Sequence, residues 1–401
     1  MNYDLYKQMI SAAERKDFSR AKMINRELIQ LQSIDKEGKA LFFPNYIQLE
    51  HTNKCNAECI MCSHFYSENK GSFDIDSAIV EKLKPILPYC ATIMLNGDGE
   101  PFLLKNITGF LNIYSEYEIK IGTNTNLSFL SDELLEIISK HFTFLNISCD
   151  SCITATYEYI RRGLKFDIFR ENLGKLNEFT PNVKKILDCV IMRQNINEAE
   201  EILLFAKDNN FAQVRFNMLR TNSYLDNQND SLRAFRNYSA RKLQQAKKFA
   251  EKIDIDVIFP IEFCFDYNSS LADMEAIQTD FSLDSGIPDK QTTLKEQNKC
   301  SQLCDDYRRN QLTYEELEIN PFISDRHCQW AFERCYIDLT GKVTTCCYDL
   351  FCSFGSLSDE RSTFQNIWNG ALYKQFRKNM LMGQLPAWCS SCDFMLNGGK
   401  L

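Results

Sequence analysis

The stretch NYIQLEHTNKCNAECIMC, residues 45–62, joins a short apolar run to a loop that carries Cys55, Cys59 and Cys62. The run has the β-branched and aromatic residues that are typical of a strand. Three soft thiolates on one loop favour an iron–sulfur cluster with a non-protein ligand on its fourth iron, because zinc sites usually recruit pairs of ligands from separate places. On spacing alone, a structural zinc site and unrelated thiols stay open as alternatives.

The composition is that of a large acidic chain with many thiols. Its 401 residues include 46 Lys and Arg, 54 Asp and Glu, and 17 Cys. The net charge of -8 argues against nucleic acid as a partner. The beginning of the chain lacks a signal-like apolar run, and no stretch reaches the roughly 18 apolar residues of a membrane span. These features predict a cytoplasmic protein without a membrane partner, in which clustered thiols serve as metal ligands or catalysts.

Strand-like and helix-like segments alternate through the central part of the chain. Residues 1–44 predict a helical appendage of two short helices. Six or seven strand–helix units then predict an α/β fold, a partial (β/α)6 TIM-like barrel whose chemistry lies at the C-terminal ends of the strands. The predicted strands are YIQLE (46–50), ATIML (91–95), IKIGT (119–123), FLNISC (144–149), ILDCVIM (186–192), QVRFNML (213–219) and IDVIF (255–259).

The strand–helix rhythm stops near residue 262. Residues 262–325 are polar and acidic, which predicts an insertion or linker, and residues 326–401 are rich in cysteine. We therefore predict a helical appendage (1–44), a partial barrel (45–261), an acidic insertion (262–325) and a small α+β cysteine-rich domain (326–401).

Several short motifs follow the predicted strands in order. NGDGEP (96–101) follows the second strand and GTNTNLS (122–128) the third; NISCDS (146–151) and YIRRG (159–163) follow the fourth, and VIMRQN (190–195) ends the fifth. Together with the three-cysteine loop, this order resembles that of the radical S-adenosylmethionine (SAM) enzymes. Each motif is weak alone, and the resemblance depends on their sequence along successive strands.

The resemblance implies a [4Fe–4S] cluster on Cys55, Cys59 and Cys62, with SAM as the ligand of the open iron. It also implies a SAM amino-group site at the glycine-rich motif, an arginine near the SAM carboxylate, and adenine contacts from methionine where many relatives have an aromatic residue. The implied SAM-binding residues are Met61, Gly97, Gly99, Glu100, Asn124, Ser148, Asp150, Arg161, Arg162 and Met192. Cys149 and Cys152 flank a strand end, where they are candidate hydrogen-atom donors to a substrate radical, with ordinary packing as the alternative.

The C-terminal segment predicts a second cluster. Cys328 and Cys346 flank a predicted hairpin with LTGK as its turn, and Cys389 and Cys392 form a pair behind a predicted helix. Spacing alone leaves zinc and an iron–sulfur cluster open. The segment resembles the SPASM and twitch auxiliary-cluster domains of radical SAM enzymes, which implies one auxiliary [4Fe–4S] cluster on these four cysteines, since no cysteine follows Cys392. Cys335 is the alternative to Cys328 as a ligand.

The function implied by the resemblance is reductive cleavage of SAM to a 5′-deoxyadenosyl radical that abstracts hydrogen from a substrate. We predict a small polar substrate, carbohydrate- or aminocyclitol-like, that undergoes dehydrogenation, deoxygenation or epimerisation, because the 44-residue start is too short for a leader-peptide-binding domain. A peptide-modifying maturase or epimerase is the alternative. A non-enzymatic iron–sulfur electron carrier is the alternative of another class. A flavodoxin- or ferredoxin-type protein is the expected electron donor.

Overall fold

A computed structural model describes residues 2–62, 64, 72–220, 227–260, 328, 330–346 and 353–382, and the backbone of 319–320 and 385–386. The predicted insertion over 262–325 lies outside the described residues except for its short strand at 319–320. The predicted cluster ligands Cys389 and Cys392 also lie outside them.

Helices and strands alternate along the described chain. The helices are α1 Tyr3–Glu14, α2 Phe18–Gln30, α3 Ser77–Leu83, α4 Ile107–Glu116, α5 Asp132–His141, α6 Thr154–Ile160, α7 Phe166–Phe179, α8 Ala199–Asp208, α9 Arg236–Ile253, α10 Trp330–Glu333, α11 Phe364–Trp368 and α12 Ala371–Leu381. The strands are β1 Tyr46–Leu49, β2 Thr92–Met94, β3 Lys120–Thr125, β4 Phe142–Ser148, β5 Lys184–Ile191, β6 Gln213–Met218, β7 Val257–Ile258, β8 Ile319–Asn320, β9 Arg334–Ile337, β10 Lys342–Thr344, β11 Gly355–Ser356 and β12 Leu385–Pro386.

The first of two compact units contains residues 1–54, 72–122 and 304–401. In it β1 pairs in parallel with β2 on one side and with β9 on the other, and β2 pairs in parallel with the start of β3. Strands β9 and β10 form an antiparallel hairpin, which confirms the predicted hairpin around LTGK. The two predicted N-terminal helices are confirmed as α1 and α2, and buried Asn25 of α2 donates to the carbonyls of Phe43 and Tyr89.

The second compact unit contains residues 55–71 and 123–303. Strands β4, β5, β6 and β7 pair in parallel in chain order, and helices connect them. Their apolar residues form a core in which Leu145, Leu187 and Val214 have no exposed surface. The strands of both units lie where the apolar runs predict them, and the mostly parallel pairing confirms the predicted α/β class.

The structure also differs from the prediction in a few elements. Helix α6 covers TATYEYI, a segment for which sequence analysis predicts no element, and it buries Tyr157 and Ile160. The last predicted strand, 255–259, is reduced to Val257–Ile258. Every helix within the described ranges is too short or too polar to cross a bilayer. The predicted domain boundaries stay a prediction.

Candidate metal and cofactor site

The middle of the cysteine loop is fixed by backbone hydrogen bonds. The amides on either side of Cys59 donate to the carbonyls on either side of Arg161, at 2.8 Å and 2.9 Å. This ladder-like pairing sets Cys59 opposite Arg161 in the second compact unit. The loop then turns, because the amide of Cys62 donates to the carbonyl of Cys59 at 3.1 Å. Two sequence segments a hundred residues apart are thereby held in register.

The three thiols of this loop share one neighbourhood. Cys59 is buried, Cys62 is half-buried and Cys55 is exposed. Burial raises the pKa of Cys59 to about 12; the guanidinium of Arg161 lowers that pKa, and the charges of Cys62 and Cys55 raise it. Among the described residues, no three His, Cys, Asp or Glu side chains lie close enough to share one metal ion. The ligands of a cubane cluster need not lie that close together, because each thiolate binds a different iron atom.

A buried ion pair lies behind Cys59. Arg161 Nη2 is 2.8 Å from Asp150 Oδ2, and both side chains are almost completely buried. The amide of Val190 donates to Asp150 Oδ1 at 2.7 Å, and Asn195 Nδ2 donates to the Asp150 carbonyl at 2.7 Å. Burial is the largest single influence on the pKa of Arg161 and lowers it, but the charges of Asp150, Cys59, Tyr157 and Cys149 together outweigh burial and raise the pKa. Asp150 of NISCDS and Arg161 of YIRRG therefore form a buried ion pair that joins the two motifs.

Two buried donors near Cys59 have no acceptor within the described part of the chain: Arg161 Nε and the Tyr157 hydroxyl. Burial raises the pKa of Tyr157; the Arg161 charge lowers it, and the charges of Cys149, Asp150 and Cys59 raise it further. A thiolate-bound cluster presents sulfur atoms that accept hydrogen bonds. The donor set around Cys59 thus fits an anionic iron–sulfur cluster.

Apolar side chains surround the predicted adenine contacts. Buried Met192 packs with Ile160 and Leu219, and Met61 of the cysteine loop packs against this cluster. The flexible methionine side chain can pack against flat rings. Of the two predicted arginines, Arg162 lies 5.7 Å from the centre of the Tyr159 ring, whereas Arg161 forms an ion pair with Asp150. The structure thus brings Met61 and Met192 together, as adenine contacts would require.

The third-strand motif is part of an asparagine network. Asn146 Nδ2 donates to Asn124 Oδ1 at 2.8 Å. The side-chain oxygen of Asn124, a predicted SAM contact, is thus already hydrogen-bonded within the protein. Asn126 donates to Asn56 at 3.0 Å, and Asn56 donates to the Ser128 hydroxyl at 2.7 Å. Sequence analysis missed Asn56 and Asn126, although one lies inside the cysteine motif and the other inside GTNTNLS.

Three predicted residues lie at or just beyond the end of β4. Ser148 is half-buried, and buried Cys149 donates its thiol to the Ser151 carbonyl at 3.1 Å. Burial raises the pKa of half-buried Cys152 to about 11, with Glu198 adding to the shift. The hydrogen-donor role of Cys149 and Cys152 stays a prediction, and the engaged thiol of Cys149 favours packing for that residue.

In the first compact unit, the NGDGEP loop packs on the backbone that precedes the cysteine motif in the chain. A Cβ on Gly99 would lie 2.3 Å from the Thr52 carbonyl oxygen, and one on Gly97 would lie 2.4 Å from the Glu50 side chain. The amide of buried Glu100 donates to the Lys54 carbonyl at 2.7 Å. Glycine is therefore required at both positions by close approach.

Glu50, which sequence analysis did not single out, ties this loop to the C-terminal hairpin. Its carboxylate accepts hydrogen bonds from the Asp98 amide at 2.8 Å, the Tyr336 hydroxyl at 3.2 Å and the Leu339 amide at 3.3 Å. Burial raises the pKa of Glu50 to about 7, and the Asp98 charge adds to the shift. Only its position directly after β1 could have indicated it.

We expect the pH dependence of stability to depend on Glu50. Its raised pKa means that the folded chain holds a proton which the unfolded chain releases, so stability falls as pH rises from about 4.5 to about 7. The decrease in the free energy of unfolding over this pH range should be smaller in Glu50→Gln than in wild type, by up to about 3 kcal/mol. Denaturant unfolding of the metal-free protein between pH 5 and 8 measures it, with surface Glu158→Gln as the control. Equal slopes for wild type and Glu50→Gln would contradict the assignment.

The C-terminal cysteines that the structure describes have different settings. Cys328 is buried and Cys346 is half-buried, on either side of the β9–β10 hairpin, whose turn has Gly341 at φ +84°. Cys335 lies within β9 opposite Ile47, fully buried, and burial raises its pKa well above the usual value. These settings favour a core role for Cys335 and leave Cys328 and Cys346 as the predicted ligands.

Arg377 of α12 is a buried cation that sequence analysis missed. Its guanidinium lies 4.1 Å from the Trp368 ring centre and donates to the carbonyls of Trp368 and Ala331, at 2.7 Å and 3.3 Å. Burial lowers its pKa to about 9. The amide of Ala331 in turn donates to the Cys328 carbonyl, so Arg377 helps to position the start of the hairpin.

Two domain families match the chain. Residues 49–206 match the Radical SAM superfamily, and residues 328–393 match SPASM, an iron–sulfur cluster-binding domain. The GTP 3′,8-cyclase of Peptoclostridium acidaminophilum is 27% identical over 180 residues, 43% of this chain and 54% of the cyclase. Human molybdenum cofactor biosynthesis protein 1 is 27% identical over 171 residues, 40% of this chain and 26% of that protein. The matched part of the chain thus spans about half the length of the cyclase and about a quarter of the length of the human protein.

Solved structures agree with the fold. Streptococcus suis SuiB bound to S-adenosylmethionine superposes with a TM-score of 0.56 at 15% identity, over 94% of this chain and 76% of SuiB. The protein anSMEcpe with bound AdoMet gives a TM-score of 0.56 at 16% identity, over 89% of this chain and 85% of that protein. The predicted partial barrel with a small C-terminal domain agrees with this likeness.

Proposed function

We propose that this chain, which belongs to the radical SAM superfamily and carries a SPASM iron–sulfur cluster-binding domain, is an enzyme that cleaves SAM reductively and abstracts hydrogen from a substrate. The observation that carries the proposal is the shared neighbourhood of Cys55, Cys59 and Cys62 on a loop held in register with Arg161. The family's cofactors are SAM and [4Fe–4S] clusters. When bound, the cluster supplies one electron that splits SAM into methionine and a 5′-deoxyadenosyl radical.

The chain's own residues bind and orient the reactants. The three thiolates would hold the cluster, and the backbone pairing around Cys59 keeps the loop in one position. The apolar cluster around Met192 and Met61 would pack on the adenine ring of bound SAM and exclude water from its surroundings. The glycines of NGDGEP let a backbone approach closely, which suits a site for the amino group of SAM. Arg162 is the better candidate for the SAM carboxylate, since Arg161 pairs with Asp150.

For the substrate we propose a peptide. SuiB has been solved bound to the precursor peptide SuiA, and anSMEcpe with a bound Cp18Cys peptide, and both likenesses extend over 89% of this chain or more. The relationship to GTP 3′,8-cyclase covers 43% of the chain and supports the SAM chemistry alone. The predicted carbohydrate-like substrate finds no support in these comparisons. A flavodoxin- or ferredoxin-type donor and a reducing, cytoplasmic setting complete the proposal.

Anaerobic reconstitution tests the SAM chemistry. We expect about eight irons per chain, which is two cubane clusters, and 5′-deoxyadenosine that forms only with dithionite. Cys389→Ala should lose one cluster and keep SAM binding. Four irons with bound zinc would contradict the predicted auxiliary cluster. A full iron complement without SAM cleavage would contradict the proposed enzymatic activity.

Substrate class is tested by stimulation of cleavage. Candidate precursor peptides should raise the rate of 5′-deoxyadenosine formation at least about tenfold and gain or lose mass in step with it. GTP and aminocyclitols are the matched comparisons. Stimulation by GTP or an aminocyclitol, with no response to peptides, would contradict the peptide proposal.

A further inference from the structure

The Tyr157 hydroxyl and Arg161 Nε are two buried hydrogen-bond donors without an acceptor in the part of the chain that the structure describes. Tyr157 and Arg161 lie on one helix turn, four residues apart, and the Arg161 amide donates to the Tyr157 carbonyl at 2.8 Å. A buried donor without a partner loses its hydrogen bond to water and gains none in return, so two of them on one helix turn call for an explanation.

The remaining polar contact of Arg161 is an ion pair: Nη2 lies 2.8 Å from Asp150 Oδ2, an oxygen that itself makes no hydrogen bond among the described residues. Tyr157 packs its ring against Phe166 and Phe169, with centroids 5.1 Å and 5.5 Å apart. Arg161 is held by Asp150, whose second oxygen is fixed by the Val190 amide. The hydroxyl and Nε are therefore held in place by neighbours that leave their hydrogen atoms unused. Such preorganised donors are typical of a site that receives an anion.

Cys59 is the predicted cluster ligand whose two neighbours pair with the backbone on either side of Arg161. Cys59 faces Arg161 across the backbone pairing, and the charges of Arg161, Tyr157 and Cys59 influence one another. A thiolate-bound cubane at Cys59 would place an anionic group with sulfur acceptors there. Hydrogen bonds to cluster sulfurs stabilise the more negative, reduced form and so raise the reduction potential.

We propose that Tyr157 and Arg161, held by Asp150, act as positioning residues that donate hydrogen bonds to the cluster at its Cys59 corner and raise its reduction potential. The proposal rests on the proposed function, because it requires the cluster on Cys55, Cys59 and Cys62. In this proposal Arg161 contacts the cluster, and residues other than Arg161 bind the SAM carboxylate.

Tyr157→Phe tests the proposal in the metal-free protein first. Removing a hydroxyl that has no acceptor should lower the unfolding equilibrium constant about tenfold, which is a gain in stability. The matched control is Tyr114→Phe, because the equally buried Tyr114 hydroxyl has a partner, His51 Nε2 at 2.7 Å. That variant should raise the unfolding constant by a similar factor. Destabilisation by Tyr157→Phe would show that its hydroxyl is paired and overturn the proposal.

The reconstituted protein gives the second readout. In an EPR-monitored dithionite titration, the cluster whose signal changes on SAM addition should show a ratio of reduced to oxidised form about tenfold lower in Tyr157→Phe than in wild type at the same potential. Arg161→Lys, which keeps the charge and removes Nε, should shift the same ratio in the same direction. An unchanged ratio in both variants would overturn the proposal. A wild-type protein without any SAM-sensitive signal would instead refute the proposed function.

Discussion

Cys59→Ala is expected to abolish SAM cleavage, with 5′-deoxyadenosine formation at least about a thousandfold lower than in wild type. Cys59 is the buried member of the three thiols and the one fixed by backbone pairing on both sides. Alanine removes one of the three protein ligands, and the cluster that binds SAM needs all of them. The iron content should fall by about half, because the SPASM ligands are untouched.

The control for this change is Cys90→Ala. Cys90 is at least as deeply buried as Cys59, and its thiol donates to the carbonyls of Thr92 at 3.1 Å and Asn45 at 3.8 Å, so its loss costs packing and these hydrogen bonds. That variant should keep both clusters and SAM cleavage. Iron analysis, anaerobic SAM cleavage and circular dichroism measure the pair. A Cys59→Ala protein that still forms 5′-deoxyadenosine would refute the assignment of the loop.

The local features of the chain were predictable. A short apolar run with β-branched residues, such as ILDCVIM, favours a buried strand, and β5 covers most of that run. The three-cysteine loop favours an iron–sulfur cluster through residue type and spacing, whereas NGDGEP gains its predicted role only through the resemblance to radical SAM enzymes. The domain matches confirm the predicted family and cofactors. Such signals are readable because each lies within a few residues of sequence.

The remaining features depend on partners that are distant in the chain. Asp150 and Arg161 meet only because the loop after β4 folds back on α6, and Glu50 meets Tyr336 across 286 residues. Cys335 reads as a ligand by its spacing, yet its strand pairs with β1 and buries it. Burial and pairing of polar groups are tertiary properties, so residue type alone does not reveal them.

Gly99→Ala is expected to weaken SAM binding at least about tenfold and to lower the free energy of unfolding by about 1–3 kcal/mol. The new Cβ would lie 2.3 Å from the Thr52 carbonyl oxygen and 2.8 Å from that of Lys54. Both obstacles are backbone atoms, and Lys54 O also accepts the Glu100 amide, so the loop itself must move. A displaced NGDGEP loop can no longer present its proposed site for the SAM amino group.

Gly174→Ala is the matched comparison, since a Cβ at that position of α7 meets no atom within 4 Å. An alanine in the helix should stabilise the chain by roughly 0.5–1 kcal/mol and leave SAM affinity unchanged. Equilibrium dialysis of SAM against the reconstituted variants and denaturant unfolding of the metal-free ones measure both effects. If Gly99→Ala bound SAM as tightly as Gly174→Ala does, the close approach at Gly99 would serve the fold alone, and the proposed amino-group site would have to lie elsewhere.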